Sequence, residues 1–414
     1  MRVLLVSNLF PPNVVGGAEI MMHALAEGLL AKGLEVGVAS LAEGAADSRQ
    51  EPSGLKVWFL EAHPMGNLML QPNRTAWRKV AWHLIGEINP KAPRSLSALI
   101  GEFEPDLVHS SNLTGLGTGI WGACRKLGLP IVHSLQDYGL LCIRGTMFKG
   151  DRRCLAQCPE CRLATSRRRW ASNGVDAVVG ISQFVLNRHL DAGYFAKAAE
   201  RRVILTDHTS GDAPPRRARG SEEPIRLGYL GRLHHTKGIE TLLDACHALP
   251  KEGWRLSVAG HGSDDYLSAL KTRGAGLPVD WLPWTRPEDF FASTDLLVVP
   301  SLWDEPLGMT IIEAGFWGLP VLAPKRGGAP ELIEAGISGM TFDPENPSEL
   351  AGILNGLLGD RQSWEKLAQG AAAAPRSGGR ERMAAAYIDL YSALAPQAAQ
   401  TAQGAPRTKS MAER

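Results

Sequence analysis

The chain has 414 residues, of which 44% are hydrophobic and 21% charged, and its formal net charge is +1. This length leaves room for two or three domains with real cores, and the composition excludes collagen, coiled coil and wholesale disorder. The charge balance argues against a protein that binds nucleic acid over a broad surface. No apolar run reaches the ~20 residues that span a bilayer, and the N-terminus lacks the features of a secretory signal. We therefore expect a cytoplasmic protein.

The first half of the chain alternates short apolar runs with helical patterns. Residues 2–7 are a predicted buried strand, and residues 18–31 carry apolar residues spaced for one helix face. Later strand-like runs cover residues 34–40, 56–61, 106–111, 130–135 and 177–182. Alternation of this kind indicates a parallel sheet with helices on both faces.

The alternation stops at residues 207–224, which hold three prolines and no apolar periodicity, so we predict a linker there. It restarts with predicted strands at 225–231, 255–260, 295–301 and 320–323 and predicted helices at 236–249 and 309–317. A last amphipathic helix covers 383–394. The pattern predicts an α/β fold of two doubly wound domains, with a ligand cleft between them at the carboxyl ends of the strands.

The first candidate binding segment is Pro-Pro-Asn-Val-Val-Gly-Gly-Ala-Glu at residues 11–19. Gly16 and Gly17 let the backbone approach a ligand closely, and the helix behind them favours an anion. A tight strand-to-helix turn without a ligand explains the same segment.

The second segment is Tyr-Leu-Gly-Arg-Leu-His-His-Thr-Lys-Gly at residues 229–238. Arg232 and Lys237 flank a short loop before a helix, an arrangement that can clamp a diphosphate. Two solvated cations are the alternative. The segment is not a Walker loop, because it lacks the G-x-x-x-x-G-K-[ST] pattern.

The third segment is Pro-Ser-Leu-Trp-Asp-Glu-Pro-Leu-Gly-Met-Thr-Ile-Ile-Glu-Ala at residues 300–314. Glu305 precedes a predicted helix and Glu313 lies about one turn into it. Glu313 can accept hydrogen bonds from the vicinal hydroxyls of a ribose, and Glu305 is placed for a sugar attached to a bound phosphate. The backbone N–H groups that can receive this phosphate belong to Leu307, Gly308, Met309 and Thr310.

This third segment, followed by Gly-Leu-Pro-Val at 318–321 and Gly-Gly-x-Pro-Glu at 327–331, resembles the signature of family-4 retaining glycosyltransferases. The glycine loop at 16–17, the loop at 231–238 and the Gly-His-Gly turn at 260–262 match in order and approximate spacing. The resemblance covers residues 1–395. It implies a GT-B architecture: two Rossmann-like doubly wound domains facing across a cleft, with a nucleotide sugar bound mainly by the second and an acceptor mainly by the first.

The resemblance also suggests how the chain divides. We predict an N-terminal acceptor-binding domain at 1–206 with a Cys-rich insertion at 142–161, a linker at 207–224, a C-terminal nucleotide-sugar-binding domain at 225–374, a helix at 375–395 that crosses back to the N-terminal domain, and a disordered tail at 396–414.

Carried over position by position, the resemblance implies that Arg232 and Lys237 hold the donor diphosphate and stabilise the charge that develops on it. It assigns Glu313 to the nucleoside ribose, and Glu305 to the transferred sugar near the reacting carbon. Gly17 would let the first loop approach the diphosphate. The resemblance further implies front-face attack, in which the leaving phosphate takes the acceptor proton. Catalysis then requires no divalent metal or other cofactor.

One position departs from the family pattern. The string Leu-Gln-Asp-Tyr at 135–138 stands where many relatives place His-Asp and an aromatic residue. Gln136 replaces a histidine that contacts the donor sugar, and a glutamine cannot carry a proton charge. Asp137 matches the family and is a candidate substrate-binding residue. Gln136 motivates an alternative function, a catalytically degenerate GT-B protein that binds nucleotide or glycan without turnover.

Four of the six cysteines fall within twenty residues, at Cys142, Cys154, Cys158 and Cys161. In a cytosolic chain this cluster indicates a tetrahedral thiolate site, most simply structural zinc, and an iron–sulfur cluster needs the same ligands. Free cysteines in a loop are the alternative. A metal here would order the loop rather than take part in the reaction.

Arg162, Arg167, Arg168, Arg169 and Trp170 form a basic segment that ends in an aromatic residue. Because acceptors in the resembled family are often lipid-linked, this segment is a candidate for peripheral contact with the anionic inner face of a membrane. A solvated helix face is the alternative. We expect an enzyme that transfers a sugar from a nucleoside-diphosphate sugar to a glycan or lipid-linked acceptor in surface polysaccharide or glycolipid biosynthesis.

Overall fold

The computed structural model describes residues 1–61, 63–70, 78, 82, 85–211, 220, 223–283, 285–373 and 379–396. Most of the predicted linker at 207–224 and nearly all of the predicted tail at 396–414 lie outside the described residues. The chain divides into two compact units. Unit 1 comprises residues 1–145, 156–208 and 378–414, and unit 2 comprises residues 146–155 and 209–377. Among the described residues, no helix combines the length and apolar character needed to cross a bilayer.

Unit 1 is built on an eight-stranded sheet in the order β10-β9-β6-β5-β1-β2-β4-β3. Neighbouring strands pair in parallel, except that β3 runs antiparallel to β4 at the edge. The central strands are buried along their whole length, as a sheet covered on both faces requires. The strands are β1 (Arg2–Val6), β2 (Glu35–Leu41), β3 (Asp47–Gln50), β4 (Lys56–Leu60), β5 (Leu107–Ser110), β6 (Ile131–Leu135), β9 (Ala177–Gly180) and β10 (Glu200–Val203).

Helices connect most of these parallel strands, and their bounds follow the apolar periodicity of the sequence closely. The predicted helix at 18–31 begins one residue earlier, at Gly17. The helices of unit 1 are α1 (Gly17–Ala31), α2 (Lys91–Phe103), α3 (Gly119–Lys126), α4 (Pro159–Ala164), α5 (Ser166–Ser172), α6 (Gln183–Asp191) and α13 (Gly379–Leu394).

The C-terminal helix α13 belongs to unit 1 and packs against α1. It buries Met383, Tyr387 and Tyr391 in the same apolar cluster as α1 and the sheet. Its two tyrosines also reach polar groups of the central strands. The Tyr387 hydroxyl is 2.7 Å from Ser134 Oγ, and the Tyr391 hydroxyl is 2.5 Å from His109 Nδ1. Apolar packing and these two hydrogen bonds therefore hold α13 on unit 1.

Unit 2 holds a six-stranded parallel sheet in the order β13-β12-β11-β14-β15-β16. Its strands are β11 (Ile225–Leu230), β12 (Trp254–Ala259), β13 (Val279–Leu282), β14 (Leu296–Val298), β15 (Val321–Pro324) and β16 (Gly339–Phe342). Its helices are α7 (Ile239–His247), α8 (Asp264–Arg273), α9 (Pro287–Ala292), α10 (Met309–Phe316), α11 (Pro347–Gly359) and α12 (Arg361–Ala373). Both units therefore have the doubly wound α/β architecture that the sequence predicts.

The single helix predicted at 236–249 is two elements. A 3₁₀ turn covers His235–Lys237, and α7 begins only at Ile239. Gly238 between them has φ +68°, in the left-handed region that interrupts a right-handed helix.

Residues 146–155 require a correction. The sequence predicts that the whole Cys-rich insertion belongs to the N-terminal domain, but residues 146–155 group with unit 2. They contain a small antiparallel hairpin, β7 (Phe148–Lys149) and β8 (Arg152–Arg153). Within unit 2, Arg153 Nη1 lies 3.2 Å from the buried Asp304 Oδ1, and the Phe148 ring lies 5.9 Å from the His235 ring. This ion pair and ring contact attach the hairpin to unit 2, and the local sequence does not reveal them.

Candidate active site

The candidate donor-binding residues of unit 2 lie on loops that follow neighbouring parallel strands. Strands β11 and β14 are hydrogen-bonded to each other, so the loops after them emerge at the same edge of the sheet. Gly238 packs against the Pro300 carbonyl so closely that a Cβ would collide with it. Gly327, in the loop after β15, packs in the same way on the Glu305 backbone, and Gly328 donates its N–H to the Glu305 carbonyl at 2.8 Å. These glycines bring three loops together around Glu305.

Lys237 and Glu305, which the sequence places 68 residues apart, are in direct contact. Lys237 Nζ donates to Glu305 Oε1 at 2.8 Å, and the Ser301 hydroxyl donates to the same oxygen. Lys237 Nζ also lies 5.5 Å from the centroid of the Trp303 ring, within range of a cation–π interaction. The side chains remain 23% and 14% exposed, so the pair is held in place yet accessible.

The electrostatics of this pair favour a charged glutamate. Burial alone raises the pKa of Glu305, but the positive charge of Lys237 and the hydrogen bonds from Lys237 and Ser301 outweigh it and lower the pKa. The nearby Tyr229 shows the opposite trend, because burial and then the negative charge of Glu305 raise the pKa of its phenol well above its ordinary value. Glu305 is therefore an anionic hydrogen-bond acceptor at neutral pH, and Tyr229 stays protonated.

Arg232 begins the same loop and its side chain is exposed. Its carbonyl accepts a hydrogen bond from the Tyr229 hydroxyl at 2.9 Å, which fixes the backbone there. Burial lowers the pKa of His234, and the neighbouring His235 and Arg232 lower it further. Two histidine rings 4.2 Å apart thus share a loop with two permanent cations, and this loop is suited to an anionic ligand.

The helix predicted at 309–317 is α10, and its N-terminus follows Glu305 by only a few residues. Gly308 precedes it with φ +115°, a conformation that favours glycine. The N–H groups of Met309 and Thr310 lie in the first turn and have no acceptor within the helix. Leu307 is buried beneath them, and Glu313 lies half-buried on the second turn. The structure thus joins Lys237 to Glu305 and places α10 beside them, while Arg232 shares the loop of Lys237.

The glycine loop of unit 1 is held by its own helix. Glu19 Oε2 accepts hydrogen bonds from the N–H groups of Gly16 at 2.7 Å and Val15 at 3.2 Å. Glu19 is buried, and burial raises the pKa of its carboxyl against the lowering effect of these N–H groups. Gly17 opens α1, so the turn caps a helix in this structure, and its approach to a diphosphate stays a prediction.

Asp137 and Gln136 follow β6 in unit 1. Asp137 Oδ1 accepts from the Gly139 N–H at 2.7 Å. Burial raises the pKa of Asp137, the charge of Glu19 adds to this rise, and the Gly139 N–H and Arg168 oppose it. The buried Oε1 atom of Gln136 has no hydrogen-bond partner among the described residues.

Several residues that support these sites escaped the sequence reading. Ser301 lies four residues before Glu305 in the same loop, and its hydroxyl donates to the Glu305 carboxylate. The buried Arg326 donates to the Leu302 carbonyl at 2.9 Å, to Glu345 at 2.9 Å and to Asp343 at 2.8 Å, and so fixes the loop that carries Glu305. Only its position beside the Gly-Gly pair at 327–328 could have drawn attention to Arg326.

The structure brings some of the predicted metal ligands together. In unit 1, Cys161 Sγ lies 4.0 Å from Cys142 Sγ. Burial, with smaller contributions from the neighbouring Cys158 and Cys142, raises the pKa of Cys161 to about 12. Cys154 belongs to unit 2. Among the described residues, the three side chains whose ligand atoms all lie within 4.8 Å of one another are His23, Glu27 and Glu51, a group without a cysteine.

Two family models match the chain, one ending before the predicted linker and the other beginning within it. The family described as Glycosyltransferase Family 4 matches residues 15–206, and the family described as Glycosyl transferases group 1 matches residues 215–374. An uncharacterized 42.6 kDa protein in the cps region of Klebsiella pneumoniae is 29% identical over 80% of this chain and 87% of its own length. The glycogen synthase of Mycobacterium tuberculosis is 26% identical over 90% of this chain and 89% of its own.

Solved structures show the same fold. Anabaena HepE in complex with UDP and glucose superposes with a TM-score of 0.67 at 21% identity, covering 95% of this chain and all of its own. The sucrose-phosphate synthase of Thermosynechococcus elongatus has a TM-score of 0.67 at 18% identity over 97% and 98% of the two chains. The two family models together cover most of the chain, and solved structures share its GT-B fold: the chain belongs to the family-4 GT-B glycosyltransferases.

Proposed function

We propose that the enzyme transfers a sugar, with retention of anomeric configuration, from a nucleoside-diphosphate sugar to a glycan or lipid-linked acceptor. The reaction would serve surface polysaccharide or glycolipid biosynthesis. The relative from a cps region of Klebsiella pneumoniae and the sulfoquinovosyl transferase SQD2 of Arabidopsis thaliana, 26% identical over 68% of this chain, support this setting.

The observation that carries the proposal is the 2.8 Å contact between Lys237 and Glu305 beside the N-terminus of α10. A lysine, an exposed arginine and a helix N-terminus on adjoining loops can stabilise the charge on a departing diphosphate. The anionic Glu305 next to them can accept hydrogen bonds from the hydroxyls of the transferred sugar. Glu313, one turn further along α10, is placed for the ribose. The solved relatives that bind UDP or UDP-glucose support a nucleotide-sugar donor.

In the proposed reaction the acceptor oxygen attacks the anomeric carbon as the bond to the diphosphate breaks. The leaving phosphate oxygen takes the acceptor proton, so no protein nucleophile and no divalent metal take part. Arg232 and Lys237 neutralise the developing charge. Retention and metal independence can each be tested separately.

The test begins with thermal shift of the full chain against UDP-, GDP- and ADP-sugars. The cognate donor should raise Tm by mass action, since it binds only the folded state. The donor is then incubated with and without glycan acceptors in the presence of EDTA, and NMR reads the anomeric configuration of the product. Inverted product would contradict retention, loss of transfer with EDTA would contradict metal independence, and the absence of any donor effect would overturn the proposal.

A catalytically degenerate binder is the alternative, and Gln136, at the position where the resembled family places a histidine, is the observation that favours it. Slow hydrolysis of the cognate donor without an acceptor separates the two functions. An enzyme with the proposed site should release free sugar, whereas a pure binder should release none.

We also propose peripheral contact with an anionic membrane through α4 and α5. Leu163 and Trp170 are 79% and 78% exposed, and Arg162, Arg167 and Arg169 are exposed around them. Arg168 does not share this surface, because it is buried and paired with Glu87. Apolar side chains ringed by arginines suit an interface with acidic headgroups.

Co-sedimentation of the full chain with phosphatidylcholine vesicles, with and without phosphatidylglycerol, tests this contact. Binding should require the acidic lipid, fall with salt, and weaken in the Trp170→Ser and Arg167→Gln variants. Equal sedimentation with both vesicle types would contradict it.

The structural zinc site is proposed on Cys142, Cys154, Cys158 and Cys161. The 4.0 Å separation of two of the sulfur atoms is close to the ~3.8 Å expected for two thiolates that share a tetrahedral zinc, since each Zn–S bond is about 2.3 Å. Bound zinc would keep these thiolates deprotonated and hold the loop. Metal analysis of the purified protein should find one zinc per chain, and four freely titratable thiols without metal would contradict the site.

A further inference from the structure

Three side chains that can ligate a metal meet in unit 1, and none of them has a role in the proposed transfer reaction. They are His23 and Glu27 on α1 and Glu51 in the turn after β3. Each offers one ligand atom, and the three atoms all lie within 4.8 Å of one another. All three residues are half-buried, so an ion can reach the group from solvent.

Helix spacing accounts for two of these ligands. His23 and Glu27 are four residues apart on α1, so their side chains lie on the same face of the helix. The His23 ring packs 5.6 Å from the ring of the buried Phe10, which limits its orientation. The third ligand, Glu51, comes from the turn that joins the antiparallel strands β3 and β4. The group therefore connects a helix to the edge of the sheet.

Protein contacts orient the Glu51 carboxylate through one of its two oxygens. Arg49 Nη2 donates to Glu51 Oε1 at 2.9 Å, and the Glu51 N–H donates to the Leu55 carbonyl at 2.8 Å. Arg49 is itself held by a hydrogen bond to the Pro11 carbonyl. Carboxylates that ligate metals are commonly held by such a hydrogen bond, and here it leaves the second oxygen available for an ion.

The second oxygen of Glu51 faces His23 at a distance that suits a shared metal ion. Glu51 Oε2 lies 3.4 Å from His23 Nε2. This separation is longer than the ~2.9–3.0 Å typical of an N–H···O hydrogen bond. Two ligands bound at about 2.0–2.1 Å to one tetrahedral zinc lie roughly 3.3–3.4 Å apart, so the observed separation fits an ion bound by both.

The charge of Glu27 also favours a cation in this group. Among the described residues, no hydrogen bond or ion pair involves its carboxylate, although it lies beside His23 and Glu51. Arg49 is paired with Glu51. Two carboxylates beside one guanidinium leave a negative charge, which a divalent cation would neutralise.

We propose that His23, Glu27 and Glu51 bind a divalent transition metal, for which zinc is the best match. An imidazole nitrogen among the ligands favours zinc over Mg²⁺ and Ca²⁺, which prefer oxygen ligands alone. Three protein ligands leave the fourth tetrahedral position to water. The ion links α1 to the turn after β3 and stabilises unit 1. The proposal does not rest on the transfer reaction, and this ion takes no part in it.

Equilibrium dialysis of the full, untagged chain against saturating zinc chloride, with and without excess magnesium chloride, tests the site. Total zinc per chain is measured for the unaltered chain and for the His23→Gln and Glu27→Gln variants. Each variant should hold one zinc fewer than the unaltered chain, and magnesium should leave the count unchanged. The proposed cysteine site is present in every chain, so its zinc cancels in the difference.

Glu102→Gln is the matched control. Glu102 is an exposed glutamate on α2 of the same unit and lies outside the group. It loses the same charge as Glu27→Gln, yet this variant should hold as much zinc as the unaltered chain. Because the Glu27 carboxylate has no hydrogen bond among the described residues, Glu27→Gln should not lower Tm in EDTA. Added zinc should raise Tm more in the unaltered chain than in Glu27→Gln.

Three outcomes would overturn the proposal. Equal zinc in all four chains would show that the group binds no ion. Displacement of the extra zinc by magnesium would show an unselective patch of negative charge. An equal loss of zinc in Glu27→Gln and Glu102→Gln would show an effect of overall charge and not of these ligands.

Discussion

In unit 2 the lysine of the Lys237–Glu305 pair is 23% exposed, whereas in unit 1 the arginine of the Arg168–Glu87 pair is only 9% exposed, and both glutamates are 14% exposed. The first pair stands on loops whose glycines and charges form a recognisable motif. The second joins a helical residue at position 87 to α5, and neither partner belongs to a motif. The ion pair of unit 2 is therefore suited to binding a ligand, whereas the ion pair of unit 1 has a structural role. The predictions below test that difference.

The largest effect is expected for the buried pair. Arg168→Leu leaves the Glu87 carboxylate without its cation, with only the hydrogen bonds from Thr118, and should lower the free energy of unfolding by about 3 kcal/mol. Chemical denaturation measures it. The exposed pair Arg255–Asp280, at 57% and 44%, provides the matched control. Arg255→Leu should cost about 0–1 kcal/mol.

The double variant Arg168→Leu/Glu87→Leu sharpens the result. Removing both charges should recover much of the loss, because no unpaired charge remains buried. Equal destabilisation by Arg168→Leu and Arg255→Leu would show that the two pairs do not differ in the way described.

Next in size are Lys237→Ala and Glu305→Gln in unit 2. Each should reduce sugar transfer roughly 10²–10³-fold by removing a group that stabilises the transition state. Initial rates with the cognate donor measure the loss, and circular dichroism checks the fold.

Lys91→Ala serves as the control, because Lys91 forms a comparable Lys–Glu contact with Glu61 at 2.6 Å on the surface of unit 1. Its transfer rate should stay near that of the unaltered enzyme. Full activity of both Lys237→Ala and Glu305→Gln would show that these two residues do not form the active site.

The smallest effect concerns pH, and here the two units respond in opposite directions. The folded-state pKa of Asp137 is raised by burial, so its ionisation costs stability as pH rises above about 3.8. Asp137→Asn should therefore raise Tm by about 2 °C at pH 7, and the gain should vanish toward pH 3.

Glu305 has a lowered pKa, so its contribution is present above about pH 4.5 and is lost as pH falls through the folded-state value. Glu305→Gln should lower Tm slightly at pH 7, and the difference should close in acid. Scanning calorimetry of both variants from pH 3 to pH 7 distinguishes the two trends. The same sign for both would contradict the assigned shifts.

The apolar periodicity and the glycine and proline positions of the sequence were enough to predict most of the parallel strands along the chain and the two doubly wound units. Helix bounds followed to within a few residues, except where Gly238 splits the predicted helix at 236–249. The motif residues Lys237 and Glu305 could also be singled out, since their chemistry depends on residue type and on position after a strand. Their direct contact could not, because it depends on how two loops pack.

Contacts between distant segments account for what the sequence could not reveal. Arg168 reads as part of a basic run, but its partner Glu87 lies 81 residues earlier, so its burial depends on the tertiary fold. The hairpin at 148–153 looks like part of a local insertion until Arg153 meets Asp304. The proposed metal-binding group likewise exists only when the turn after β3 lies beside α1.

The position of α13 has a consequence for biosynthesis. Its buried tyrosines complete an apolar cluster whose members outside residues 383–395 all lie before residue 208, so the ribosome must make all of unit 2 before the first unit can close. A nascent chain that ends at residue 208 would expose the face of α1 that Met383 and Ala384 normally cover. Co-translational folding of this enzyme is therefore expected to finish the second half first and to leave the first half dependent on chaperones until the last helix emerges.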